Sequence, residues 1–223
     1  MVNEVSSAAY SRRAAEYIEL FGSMAAVHPS DLQLVSTWAS DVDGEIIDAG
    51  CGPGHWTNFL AEQGHAARGI DLTPEFVAHA RNSYPRVNYT LRSLNSVDAG
   101  SGSVAGILSW YSLIHHEPET IRVPLKEFSR VLKPGGTLLV GFFEGPVVEE
   151  FAHAVTPAYR WPVDGLGEEL SAAGFDVVES HVRKVTGQRP LAAIVARRRE
   201  SMSEDGWREE VHLVRSRRGA RRY

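Results

Sequence analysis

The chain has 223 residues, of which 43% are apolar, with 23 basic and 28 acidic side chains and a formal charge of −5, a size and composition that fit one globular domain around a single core. Nine arginines and five acids lie from Arg197 onward, a net of +4, leaving −9 for residues 1–196, and an acidic body argues against a nucleic-acid substrate. No apolar run approaches the ~18 residues of a membrane span, "MVNEVSSAAYSRRAAEY" lacks the basic start and apolar stretch of a secretion signal, and a lone cysteine, Cys51, excludes an internal disulfide framework, so a cytoplasmic setting is expected.

The first forty residues read as helices. "SSAAYSRRAAEYIELFG" has helical spacing with Ala9, Arg13, Tyr17 and Leu20 along one side. "PSDLQLVSTWA" starts at Pro29 or Ser30 and is expected to bury Leu32, Leu34, Val35 and Trp38. Next comes "EIIDAGCGPGHW", in which an apolar strand end runs into Gly50, Gly52 and Gly54 and then into a helix carrying Trp56, Phe59 and Leu60. Glycines in a strand-to-helix turn permit backbone angles closed to other residues and let a ligand approach the main chain. Their G-x-G-x-G rhythm departs from the G-x-G-x-x-G dinucleotide fingerprint at His55. Asp48, two residues ahead of the first glycine, would repel phosphate and attract the cationic end of an amino-acid moiety.

"HAARGIDLTPEF" reads as a second strand ending in Asp71, with Thr73 as N-cap and Pro74 at the first helical position. Asp71 lies about twenty residues past the glycines, where an acid reaches ribose hydroxyls in nucleotide-binding α/β units. "RVNYTLRSLNSV" supplies a third strand and its loop, and "VAGILSWYSLIHH" a fourth strand running into a loop. "IRVPLKEFSRVLKPGGTLLVGFF" reads as an amphipathic helix with Val123, Phe128, Val131 and Leu132 apolar, a "LKPGG" stop and a fifth strand. "EGPVVEEFAHAVTPAYRWPVDG" is a long insertion for a compact fold. "LGEELSAAGFDVVESHV" and "RPLAAIVARRR" give a last helix and a closing strand pair, and "RSRRGARRY" ends the chain as a solvated basic arm.

Over roughly residues 40–196 these motifs resemble the class I S-adenosylmethionine-dependent methyltransferases, whose first motif reads about D-x-G-x-G-x-G, and within them the small-molecule branch labelled type 11 or 12. The resemblance implies an α/β, Rossmann-like, seven-stranded and mostly parallel sheet with an antiparallel last strand, helices on both faces and an N-terminal helical lid. It divides the chain into a cap (1–40), a methyltransferase domain (41–196) and a basic extension (197–223). It implies S-adenosylmethionine as cofactor and S-adenosylhomocysteine as product. Asp48, Gly50, Cys51 and Gly52 would border the methionine portion, with Tyr10 over it and Ser109 at the end of the fourth strand. Asp71 would hold the ribose, while Leu72, Ser93, Leu94 and Asn95 would border adenine. The family often has an acid in that last loop, and this chain does not.

Methyl transfer from a sulfonium needs alignment, exclusion of water and removal of one proton from a protonated acceptor. Candidate bases are Tyr111, His115 and His116 at the end of the fourth strand, with Glu144 and His153 lesser candidates; a backbone-bonding role is open to each histidine. The stretch "SWYS", Ser109 to Ser112, differs from the Pro-Pro-Tyr-type motif of enzymes that methylate adenine bases or protein glutamine. Small-molecule methylation on oxygen or nitrogen, or on carbon, remains. No metal ligand set and no oligomeric state is assigned. An NAD(P)-dependent oxidoreductase and a non-catalytic S-adenosylmethionine-binding protein are the alternatives. Residues 1 to about 30 and the insertion are expected to cover the methyl group, bringing Tyr10, Tyr111, His115 and Tyr159 together.

Overall fold

The computed structural model describes residues 2–200, with side chains from Val5 onward. Helices α1 (Val2–Arg12), α2 (Ala14–Phe21) and α3 (Pro29–Ser40) precede an alternating run: β1 (Ile46–Ala49), α4 (His55–Glu62), β2 (Ala67–Asp71), α5 (Pro74–Ser83) and β3 (Asn88–Leu91). Then follow β4 (Val104–Trp110), α6 (Arg122–Val131), β5 (Leu132–Glu144), β6 (Glu149–Phe151), β7 (Ala158–Trp161), α7 (Val163–Ala172), β8 (Phe175–Arg183) and β9 (Leu191–Arg198). Parallel pairing gives the order β3-β2-β1-β4-β5. Strand β9 lies antiparallel along β5, from Thr137↔Arg197 to Phe143↔Leu191, and β8 closes that edge.

Strands β1 and β4 are buried at nearly every position, which is why they read as unbroken apolar runs. Successive side chains alternate between two cores. Ile47, Ile107 and Leu138 join Leu125 and Phe128 of α6 and Leu166 of α7 on one face. Ile46, Leu108 and Leu139 join Val35 and Trp38 of α3 and Trp56 of α4 on the other. The Trp38 indole N–H donates to Thr137 Oγ1 at 3.0 Å, so α3 is part of the body, and the boundary expected at residue 40 falls inside one packed unit.

The seven-stranded sheet with an antiparallel strand is present, and two strands are added to it. Strand β7 pairs with β5 in parallel at Phe143↔Arg160 and Glu144↔Trp161, and β6 pairs with β7. Because β9 holds the other edge of Phe143, β7 takes the edge that β4 leaves after Trp110↔Gly141. The insertion is therefore a ribbon at the head of the sheet. "LKPGG" ends α6 at Val131 and then bulges: Val104 pairs with Leu132, but Gly106 already pairs with Thr137.

Four further expectations change. The buried face of α6 is Pro124, Leu125, Phe128 and Val131, while Val123 is 50% exposed. Leu32 of α3 is exposed and Leu34 only half-buried. The stripe expected through Ala9, Arg13, Tyr17 and Leu20 breaks at Arg13, which stands between two separate helices, and Leu20 is exposed. Strand β9 runs through Arg197 and Arg198, so the C-terminal boundary at 196 lies inside a strand; the Arg198 guanidinium donates to the Leu132 carbonyl, and Arg199 reaches Asp176 at 2.7 Å. The basic arm falls outside the described residues. Among the described residues no helix is long and apolar enough to cross a membrane.

The corrected face of α6 is testable. Phe128→Ala should cost about 3–5 kcal/mol and Val123→Ala no more than about 0.5 kcal/mol, read from urea unfolding; equal costs would mean that α6 docks through another face.

Candidate active site

The head of the sheet, where β1 and β4 diverge into connections on opposite faces, is where open α/β sheets bind ligands. The three glycines after β1 all have left-handed backbone, with φ of +82°, +52° and +89°, a region that favours glycine. Their surroundings differ. A Cβ on Gly50 would lie 2.2 Å from the Ser112 Cβ, and one on Gly54 2.7 Å from the Ala80 Cβ and 2.8 Å from the Tyr89 ring. A Cβ on Gly52 would meet nothing within 4 Å. The outer two glycines answer to protein packing, and the middle one faces open space.

Asp71 ends β2 and locks this turn. Its Oδ2 accepts the Gly52 N–H at 2.9 Å and its Oδ1 the Thr73 N–H at 2.7 Å. Thr73 occupies the N-cap of α5, but its side chain does not cap the helix; the Asp71 carboxylate reaches the N–H instead. Burial raises the Asp71 pKa, opposed by the Thr73 and Gly52 N–H groups. Asp48 is buried as well, accepts the Thr57 hydroxyl at 2.7 Å, and is pushed up to about 7, chiefly by burial.

Two cavities adjoin the glycine turn, and a third, about 440 Å³, opens beyond Trp110 and Tyr111 beside Asp31, His181, Arg183 and Lys184. The smaller, about 120 Å³, is lined by Gly50, Asp71, Leu72, Ser93 and Leu94 under Tyr10. The larger, about 370 Å³, includes Asp48, Cys51, Trp110, Phe143 and His153. Tyr10, Tyr17, Gly50, Gly52, Trp110 and Tyr111 belong to both. Asn95 is exposed and lines neither; its N–H bonds the Ser93 hydroxyl at 3.2 Å. Ser109 is fully buried below the cavities and bonds Ser112 at 2.7 Å, so Ser112 is the residue that reaches the surface. Cys51 is a packing residue whose thiol burial raises well above its usual pKa.

The expected bases separate. His115 Nδ1 lies 2.8 Å from the Pro157 carbonyl, which can only accept, so Nδ1 carries the hydrogen. In the neutral ring Nε2 is then an acceptor, and the Tyr10 hydroxyl donates to it at 2.9 Å. Burial lowers the His115 pKa, against the Pro157 contact. His116 lines the smaller cavity, but neither ring nitrogen has a hydrogen-bond partner and burial pushes it down to about 4. Tyr111 has φ +56°, a left-handed angle on a side chain with Cβ, held by its N–H on the Gly141 carbonyl at 3.1 Å. Burial raises its phenol pKa.

The two covering segments meet at His115: α1 through Tyr10, and the insertion through Pro157. Ser7 Oγ donates to the Leu72 carbonyl at 2.8 Å, seating α1 on the end of β2, and the Arg13 guanidinium donates to the Ala154 carbonyl. Tyr159 does not join them; its hydroxyl reaches Glu150 at 3.1 Å and it lines neither cavity. His153 stands there instead, its ring centroid 5.3 Å from that of His115. Glu144 pairs with Lys184 at 3.5 Å, away from both cavities. Sequence reading missed Trp110, Phe143 and the Pro157 carbonyl.

Asp48 has a pH signature. Its pKa is higher folded than unfolded, so the unfolded chain loses the proton first and stability falls between about pH 4 and 7. His116, held down to about 4, acts oppositely across much of that window, so comparison with a variant isolates the carboxyl. Asp48→Asn should gain on the parent protein by up to about 4 kcal/mol from pH 4 to 7, measured as the shift in urea midpoint; a pH-independent difference would show that Asp48 is not held as a buried acid.

Residues 46–136 match the family model described as a methyltransferase domain. Among curated proteins, the ubiquinone biosynthesis O-methyltransferase of Xanthomonas campestris pv. campestris is 27% identical over 119 residues, 52% of this chain and 49% of that protein. An uncharacterized methyltransferase of Synechocystis sp. is 25% identical over 147 residues, 62% of this chain and 69% of that protein. The chain thus spans about half the length of the ubiquinone-biosynthesis relatives. Among solved structures, the Burkholderia thailandensis 1,6-didemethyltoxoflavin-N1-methyltransferase, with bound 1,6-didemethyltoxoflavin and S-adenosylhomocysteine, superposes with TM-score 0.72 at 25% identity over 88% of each chain. Magnesium protoporphyrin IX methyltransferase from Synechocystis shares the fold, with TM-score 0.70 at 14% identity over 89% of this chain and 100% of that one.

Proposed function

We propose that this chain, which belongs to the class I S-adenosylmethionine-dependent methyltransferases, binds S-adenosylmethionine in the smaller cavity and methylates an oxygen or nitrogen of a small molecule held in the larger one. The carrying observation is the open space beside Gly52, bordered by the half-buried Asp71 carboxylate that lines the smaller cavity. That donor set fits a ribose with two adjacent hydroxyls. Leu72 and Leu94 offer apolar walls to adenine, and Ser93 a polar one. Asp48, close enough to Asp71 to feel its charge, suits an ammonium group, whose arrival would drive it fully into the carboxylate form. The Tyr10 ring face suits a cation above the junction of the cavities.

When bound, the cofactor supplies a methyl on a sulfonium leaving group. The chain's own contribution is placement and one proton. Trp110 and Tyr111 line both cavities and so frame the passage between them. His115 lines the smaller cavity and meets the larger one through Tyr10, which lines both; locked as the Nδ1–H tautomer by Pro157, it offers Nε2 to the acceptor proton at that junction once the Tyr10 hydroxyl yields its place. Nε2 would take the acceptor's O–H or N–H proton, leaving His115 an imidazolium whose Nδ1–H stays on the Pro157 carbonyl. A histidine depressed by burial is unprotonated at neutral pH and so ready for that role.

Calorimetry with S-adenosylhomocysteine tests the donor site: Asp71→Asn should weaken binding by about 1–3 kcal/mol, and unchanged affinity sinks the assignment. Transfer from labelled S-adenosylmethionine, screened over small O–H and N–H compounds, tests the reaction. With an acceptor so identified, His115→Ala should lower turnover about 10²–10⁴-fold with little change in product affinity. Full turnover in that variant would assign His115 to packing alone.

A further inference from the structure

The larger cavity carries information about its occupant. Its walls are rich in aromatic rings, with Phe21, Trp110, Tyr111, Phe143 and His153 lining it, and its lining includes three charged side chains, Asp31, Asp48 and Arg183. Asp48 is only 1% exposed beside the glycine turn and accepts the Thr57 hydroxyl. The other two face each other across the body: Asp31 from the first turn of α3 and Arg183 from the last residue of β8, with Arg183 Nη2 2.9 Å from Asp31 Oδ2. Arg183 Nη1 also donates to Ser30 Oγ at 3.1 Å. Both side chains stay about one-fifth exposed and stand between this cavity and the third one, lining both. They keep unused valence, since a guanidinium has five N–H donors and a carboxylate about four acceptor positions. Tyr111 feels both charges, Asp31 raising its pKa and Arg183 lowering it, which places the pair beside the ring that frames the passage to the donor cavity.

A pre-formed ion pair in an aromatic wall selects by neutrality. A lone carboxylate or ammonium entering this cavity would lose its water and find a cation or an anion already matched. A neutral ring edge that presents N–H beside C=O gives the carboxylate a donor and the guanidinium an acceptor without separating them. Flat aromatic walls favour a flat ring behind that edge, and about 370 Å³ admits a fused bicyclic ring. We infer that the methyl acceptor is an uncharged, planar heteroaromatic lactam whose amide edge is read by Asp31 and Arg183. This rests on the donor-site reading above.

The test uses the full chain saturated with S-adenosylhomocysteine at pH 7 and three probes of one size: quinazoline-2,4-dione, neutral with lactam edges; 2-naphthoate, an anion; and 2-naphthylmethylammonium, a cation. Calorimetry should find the dione bound at least tenfold tighter than either charged probe. Arg183→Met and Asp31→Asn should each lower dione affinity at least tenfold while leaving S-adenosylhomocysteine affinity within twofold. The first should move the remaining preference toward the cation and the second toward the anion. Any ranking of the parent protein that does not put the dione first, including no measurable binding of all three, overturns the inference and needs no variant to fold. So does undiminished dione binding in both variants. Loss of S-adenosylhomocysteine binding by the parent protein would remove the donor-site reading and this one with it, whereas a wrong ranking with that ligand bound removes this one alone.

Discussion

Asp71 holds a carboxylate at the tip of β2 where burial makes a charge expensive, and two backbone N–H groups from different turns offset that cost. Gly52 belongs to the turn after β1 and Thr73 to the start of α5, so one side chain sets the spacing of two loops that line the smaller cavity. Its charge reaches further: it contributes to the raised pKa of Asp48, Cys51, Tyr10 and Tyr17. Burial first, and this charge second, keep the Tyr10, Tyr17 and Cys51 groups of α1, α2 and the glycine turn neutral around Asp71. A cationic ligand would find one fixed negative charge there and a second, on Asp48, that its own arrival completes.

Much of this was legible because it is local. The glycine turn, Asp71 twenty residues on, Pro74 at the first turn of α5 and the apolar periods of β1 and β4 are all short-range patterns, whereas the mostly parallel sheet was expected only through the family resemblance those motifs carry. The face of α6 was partly misread because Val123 is one of several apolar residues near a helix start. The true stripe, Ile121, Leu125, Phe128 and Val131, keeps the four-and-three spacing of a buried helix face, and Val123 breaks it. The β6–β7 ribbon escaped because its strands are three and four residues long and its only partner, the exposed end of β5, exists once β4 has stopped. Asp31 and Arg183 stand 152 positions apart, and no local pattern links them.

His115 joins three parts of the chain that are otherwise separate: the N-terminal helices, the loop after β4 and the ribbon. Its two hydrogen bonds define one tautomer, so placement of the ring and readiness of its free nitrogen are one arrangement. Nearby, the left-handed Tyr111 turns the chain sharply at the end of β4, and the Trp110 ring lies against Gly141 so closely that a Cβ there would come within 2.9 Å. Strain at Tyr111 and crowding at Gly141 belong to the same passage between the cavities, where main chain from β4 and β5 leaves little room for variation.

The partner that sets the His115 tautomer is a carbonyl of the main chain, and a carbonyl is present whatever side chain residue 157 carries. Replacement of Pro157 by another residue able to hold a similar backbone angle leaves that acceptor in place. Loss or gain of a single residue between β6 and β7 does not, because it moves the carbonyl along the ribbon and sets Nδ1 against a different atom. Drift at this position is therefore constrained in length and free in letter. Related chains compared column by column would show a variable site, while the number of residues from Phe151 to Ala158 would be the quantity held constant.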